Sequence, residues 1–305
     1  MLNFRKVLTK NKQVVKNFAR RFSSAPGGPS GPDLQNMART ANMALLGLGA
    51  AGFTYMLWRT RSQAQYQPLP ASAEQPRIIT QGNLIAPQVT AGMINPAIQN
   101  RVQSALAYFG GGIALTGLSI SLFRYTALAY ANPLLLFIPT IASLIGTMYF
   151  NYHTQSPLKH LCWGAFCGFE GLALAPLINM AGMPIVFNAL AATGTMMGLL
   201  AAYAYNSPTN NFLSWQGGLT MGLCGLIGVS LVNMFWPSPL LTSLSLYGGL
   251  LLFGGFVLYD TQKLVHNATH RPVWDPINES ISIYLDAIII FQKFLIIFMN
   301  NKKKK

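Results

Sequence analysis

Apolar runs separated by short polar turns fill the chain from about residue 96 onward. They lie near 96–123, 130–150, 158–180, 184–205, 213–235, 240–265 and 277–299, close to the ~20 residues a helix needs to cross ~30 Å of hydrocarbon. Asn95-Pro96 pairs an N-cap residue with a proline at the first helical position and opens the first run. Asn206-Ser207-Pro208 and Trp236-Pro237-Ser238-Pro239 mark later turns. Backbone groups in lipid must be satisfied within their own segment, so runs of this length predict helices and not barrel strands. A compact bundle of seven helices is expected over residues 96–300. Upstream, ANMALLGLGAAGFTYMLW at 41–58 is one further span, with Arg39 before it and Arg59 and Arg61 after it. Gly47, Gly49 and Gly52 would let another helix approach it closely. A Pro/Gly linker (23–40) precedes this span, a polar linker (59–95) follows it, and a basic tail (301–305) ends the chain. The expected class is all-α: a polytopic membrane protein with a seven-helix bundle plus one additional N-terminal transmembrane helix.

Composition agrees. The chain has 305 residues, 51% hydrophobic and 9% charged, against about 25% charged in soluble domains. Its net charge of +14 is concentrated at the two ends. Residues 1–21 hold seven bases and Lys302–Lys305 four more, while the other ten bases and the seven acids nearly balance. With no basic groove carrying interleaved aromatics, nucleic acid is not an expected partner; membrane lipid is. Residues 1–24 contain no acid, and Phe4, Leu8, Val15, Phe18 and Phe22 share a helical face. That pattern predicts a mitochondrial transit peptide over residues 1–22, cut after Phe22 of Arg20-Arg21-Phe22-Ser23-Ser24. Lys302 and Lys303 also fit a dilysine retrieval signal, so the endoplasmic reticulum membrane is the alternative location. Cys162, Cys167 and Cys224 lack metal or disulfide spacing and read as small apolar residues.

The informative residues are charges inside the apolar runs. Asp260 (GGFVLYDTQK) and Asp286 (ISIYLDAIIIF) lie on consecutive spans, and a carboxylate within a membrane helix ordinarily faces a partner or cavity. Asp275-Pro276 offers an N-cap and first-position proline, placing Asp286 roughly 15 Å into the last helix. Asp260 lies some ~9–15 Å before the end of the preceding helix. In an antiparallel hairpin the two can meet. Two such carboxylates cannot both ionise freely; they titrate as a coupled pair. When deprotonated they offer hard oxygen ligands suited to Ca²⁺, so proton and cation compete. Glu170 is a third intramembrane carboxylate and an accessory candidate, as are Ser282 and Lys293, which extend the Asp286 face in either direction. Lys293 is either a counter-ion or an end residue that snorkels; Lys263 reads as an interfacial, snorkelling lysine. His266 and His270 lack a third ligand at defined spacing and fit a polar interfacial loop.

The runs YGGLLLFGGFVLYDTQKLVHNA and DPINESISIYLDAIIIFQKF resemble the carboxy-terminal signature of the Bax inhibitor-1 family, over roughly residues 95–300. SPLKHLCW at 156–163, LALAPL at 172–177 and the transit-peptide layout resemble its mitochondrial branch. The resemblance implies a seven-helix bundle acting as a pH-sensitive Ca²⁺ leak or Ca²⁺/H⁺ exchanger, with the family's di-aspartyl sensor at Asp260 and Asp286. It also implies a place in the inner mitochondrial membrane, roles in cristae organisation and apoptosis resistance, and partners among inner-membrane proteins and cytochrome c. No cofactor is expected, Ca²⁺ and protons being the transported ions. Bacterial members pair the sensor with an arginine on the second bundle helix, whereas residues 130–150 contain no base; Lys293 is the candidate substitute. The alternative function is a non-transporting scaffold that maintains cristae and binds partner proteins. No enzyme is expected, since both sites lack the Gly-x-Gly-Asp context of intramembrane aspartyl proteases.

Overall fold

A computed structural model describes residues 96–126, 133–208, 211–236 and 238–302. The expected leader, the 41–58 span and the linkers before residue 96 lie outside the described residues, as does the end of the basic tail. What is described is helical throughout, with turns between. The helices are α1 (Pro96–Phe123), α2 (Pro133–Tyr149), α3 (Ser156–Ala181), α4 (Met183–Asn206), α5 (Gln216–Phe235), α6 (Pro239–His270) and α7 (Pro276–Lys302). Six of these spans are long and apolar enough to cross a membrane, and α2 is a shorter apolar helix. The protein is an all-α polytopic membrane protein.

Local chemistry sets the helix ends. Prolines occupy the first turn of α3, α4 and α6, where a missing N–H costs nothing and φ is already helical. A single residue, Gly182, joins α3 to α4 at φ +79°, a left-handed conformation that glycine adopts without a steric penalty. Before α5 the chain makes a 3-10 turn at Leu213–Trp215. Within α6, residues Leu244–Gly248 form a π-helical turn, a local widening that leaves backbone carbonyls available to outside donors.

The last helix is the axis of the bundle. It packs against α1, α2, α3, α4 and α6, and Ile277, Ile281, Ile290 and Leu295 are fully buried along it. Its residues are buried on nearly every face, as in a helix surrounded by protein. Tyr108 of α1 meets Trp163 of α3, and Thr116 of α1 bonds both Cys167 O of α3 and Tyr284 of α7. Contacts rising together in this way make α1, α3 and α7 parallel, with α2, α4 and α6 running the other way. Large side chains such as Met221 and Leu251 are about four-fifths exposed on the outside, as expected for a surface that faces lipid and not water. Cys167 is buried, whereas Cys224 is exposed on that outer surface.

Candidate functional site

The α6–α7 hairpin carries the site, and one hydrogen bond fixes its register. Asn267 Nδ2 on α6 donates to Glu279 Oε2 on α7 at 2.8 Å. Asp260 lies seven residues before Asn267, and Asp286 seven residues after Glu279. Seven residues are two turns, roughly 10.5 Å, and return each helix to nearly the same face. The antiparallel geometry therefore sets Asp260 and Asp286 at one depth on the two helices. Each is only 4% exposed. Asp286 is eleven residues beyond Asp275 at the turn, about 16.5 Å in, or near the middle of a ~30 Å hydrocarbon layer.

The same motifs also lock the turn above the aspartates. Lys159 of α3 is fully buried, and its ammonium donates to Thr147 O (2.7 Å), Phe150 O (3.0 Å) and Asn278 Oδ1 (2.9 Å). It also forms an ion pair with Asp275 Oδ2 at 2.8 Å. The other Asp275 oxygen accepts from Asn278 N at 3.1 Å, the N-cap expected from the sequence. One lysine thus closes the exposed carbonyls at the end of α2 and holds the start of α7. Arg271 pairs with Glu279 at 2.7 Å. Arg101 of α1 reaches the carbonyls of Ala268 and Arg271, and Trp274 Nε1 donates to Ser104. Gln262, two residues after Asp260, accepts from Phe212 N and donates to Pro208 O, tying down the α4–α5 connection. The clasp was missed in sequence because Lys159 and Asp275 are distant in the chain; a lysine beside the polar start of an apolar run was its only visible sign.

The accessory residues separate. Ser282 is buried one turn before Asp286 on the same face of α7. Lys293 is not a counter-ion to the aspartates, nor does it snorkel. It is 3% exposed, and its Nζ donates to Ser245 O at 2.9 Å and Ser245 Oγ at 3.4 Å, within the π-helical turn of α6. The turn frees a carbonyl inside the bundle, and the ammonium satisfies it, about two helical turns from Asp286. It therefore does not replace the absent arginine at the aspartates. Gly249 makes room: a Cβ there would lie 2.9 Å from Lys293 Cε. Lys263 is likewise buried, at 6% exposure, because α6 continues for seven residues beyond it.

Glu170 is buried in a different interface. It follows Phe166 by one turn of α3, and the Phe166 ring packs edge-on against Tyr284 of α7 at 5.6 Å. Asp286 is two residues, or about 200°, around α7 from Tyr284. Glu170 and the aspartate hairpin therefore lie against different sides of α7. His266 and His270 stack on the last turns of α6, with ring centroids 4.2 Å apart, and are not in a loop. Among the described residues no group of three or more His, Cys, Asp and Glu side chains gathers as a metal site.

Chemically, a pair of buried carboxylates holds a proton or presents oxygens to a cation. Comparison with known proteins places the chain in a family. The family described as "Inhibitor of apoptosis-promoting Bax1" matches residues 98–303, which takes in almost all of α1 to α7. "Growth hormone-inducible transmembrane protein" of Rattus norvegicus is 32% identical over 226 residues, covering 68% of this chain and 65% of that protein. "Bax inhibitor 1" of the same organism is 30% identical over 230 residues, covering 70% of this chain and 90% of the relative. A Helicobacter pylori protein is 29% identical over 202 residues, 64% of this chain and 84% of its own length.

Proposed function

The chain belongs to the Bax inhibitor family, and from that premise we propose that it is a pH-sensitive Ca²⁺ leak channel or Ca²⁺/H⁺ exchanger gated by Asp260 and Asp286. One observation carries the reading: two buried carboxylates stand on the adjacent helices of the α6–α7 hairpin, each seven residues from the Asn267–Glu279 bond that sets its register. Protonated, they lie neutral within the bundle. On losing protons they repel, and a hard divalent cation relieves the repulsion by taking their oxygens. Protons and Ca²⁺ then compete for one site, so cation movement follows pH. The clasp around Lys159 holds the turn of this hairpin and keeps the register of the pair.

The acid-free, basic segment at residues 1–24 supports delivery to the inner mitochondrial membrane. Cristae organisation and apoptosis resistance follow in the same reading as consequences of controlled ion release there. Purified protein reconstituted in liposomes tests it. Wild type is expected to move Ca²⁺ in a manner set by the pH difference, and Asp260→Asn with Asp286→Asn to lose that movement. Folded wild-type protein that moves no Ca²⁺ would favour a non-transporting scaffold. Imaging of a chain lacking residues 1–24 tests location, with loss of mitochondrial targeting expected.

A further inference from the structure

Helices α1 and α4 flank a cavity of about 1070 Å³, floored by α6 and α7 residues such as Val257 and Ile288. Its lining runs from Ile98 to Arg124 on α1 and from Met183 to Asn206 on α4. The two helices are antiparallel, Arg124 Nη1 lying 3.8 Å from Met183 Sδ at one end. The lining residues of α1 span 26 residues of rise, roughly 39 Å, enough to cross the ~30 Å hydrocarbon layer and reach headgroup depth. The cavity lining is mostly apolar side chains of α1, α4, α6 and α7, the surroundings that an acyl chain takes.

Its walls and its end agree with that occupant. Gly110 and Gly117 on α1 and Gly194 and Gly198 on α4 line it with open space where a side chain would stand. The Thr116 and Thr193 hydroxyls are turned back onto their own helices, at Gly112 O and Ala189 O, so the interior offers a ligand little but hydrocarbon. No acidic residue lines it, and Arg124 is its one cation among the described residues. Asn179 Nδ2 bonds Arg124 O at 2.7 Å, fixing the backbone, and the guanidinium lies over the Tyr125 ring at 4.4 Å. Arg124 Nε has no hydrogen-bond partner among the described residues. The first turn of α4 begins beside it with no side-chain cap, adding a positive helix end. A cation at headgroup depth at the end of an apolar channel matches an anionic phospholipid, whose phosphate suits the guanidinium fork.

We propose that one anionic phospholipid seats an acyl chain in the α1–α4 channel with its phosphate on Arg124. The chain's own 41–58 segment is the competing occupant. Arg39, Arg59 and Arg61 at its ends would bring like charge towards Arg124.

Native mass spectrometry of the full chain, titrated with phosphatidylglycerol or phosphatidylcholine of identical acyl chains, tests this. Wild type is expected to keep one phosphatidylglycerol with at least a tenfold preference. Arg124→Gln should bring the two lipids to near parity, and Arg124→Lys should keep most of the preference. Gly117→Leu with Gly194→Leu fills the channel and should remove the retained lipid while Arg124 is intact. Should that variant misfold, the Gln and Lys variants at position 124 decide alone. Equal retention of both lipids by wild type, an unchanged preference in Arg124→Gln, or full retention in a folded filled-channel variant would each overturn the proposal. So would a disulfide between Gly49→Cys and Gly194→Cys, which would place the 41–58 segment in the channel.

Discussion

Replacing Lys159 by Met removes a charge that four groups depend on. Its ammonium is fully buried and ties Thr147 O, Phe150 O, Asn278 Oδ1 and Asp275 Oδ2 together within 2.7–3.0 Å. Breaking a buried ion pair from one side costs about 3–5 kcal/mol. Asp275 is 21% exposed, so its carboxylate regains some water once the lysine is gone, and the lower end, about 3 kcal/mol, is expected. At roughly 2–4 °C per kcal/mol for a protein of this size, the melting temperature in detergent should fall by about 6–12 °C. Asp275→Asn keeps the helix cap but leaves the fully buried Lys159 ammonium without its counter-ion, and should cost at least as much, about 3–5 kcal/mol. Because the two residues share one interaction, the double variant should fall short of the summed losses by ~1 kcal/mol or more. A Lys159→Met protein melting within about 2 °C of wild type, or strict additivity with Asp275→Asn, would refute the clasp.

Other expectations follow from the packing. Gly249→Ala pushes a methyl against Lys293 Cε and should cost about 1–3 kcal/mol by overpacking; Lys293→Met should recover part of this in thermal melts. Tyr284→Phe leaves Thr116 without its 2.6 Å partner and should cost about 0.6–1.7 kcal/mol, the range for hydrogen bonds within membrane bundles. Glu170→Gln should leave the pH dependence of Ca²⁺ flux near wild type in the liposome assay, because Glu170 and the aspartates lie against different sides of α7. A profile displaced as far as that of an aspartate variant would join Glu170 to the switch.

Much of this was legible in the residues. Run lengths and turn prolines located all seven described helices, and helix-depth arithmetic from Asp275-Pro276 put the two aspartates at similar depth. Side-chain destinations were less legible. Lys293 was read along its own helix, but its partner is a carbonyl freed by a π-helical turn on α6, and nothing in LSLYG signals that turn. Asp275 was legible only as a cap, because local spacing carries no information about a pair with Lys159 brought together only when α3 packs beside α7. Glu170 shows the same limit: period and hydropathy put it inside the bundle without saying which side of α7 it would face.

The central claim is that Asp260 and Asp286 form one proton–cation switch. Ca²⁺ flux through reconstituted protein, measured across a pH series for wild type and for Asp260→Asn and Asp286→Asn separately, tests it most directly. Protons and Ca²⁺ compete for the pair, so wild-type flux should change steeply with pH, and either single substitution should flatten the profile nearly as much as both together. A single variant that keeps the wild-type profile would contradict a shared switch.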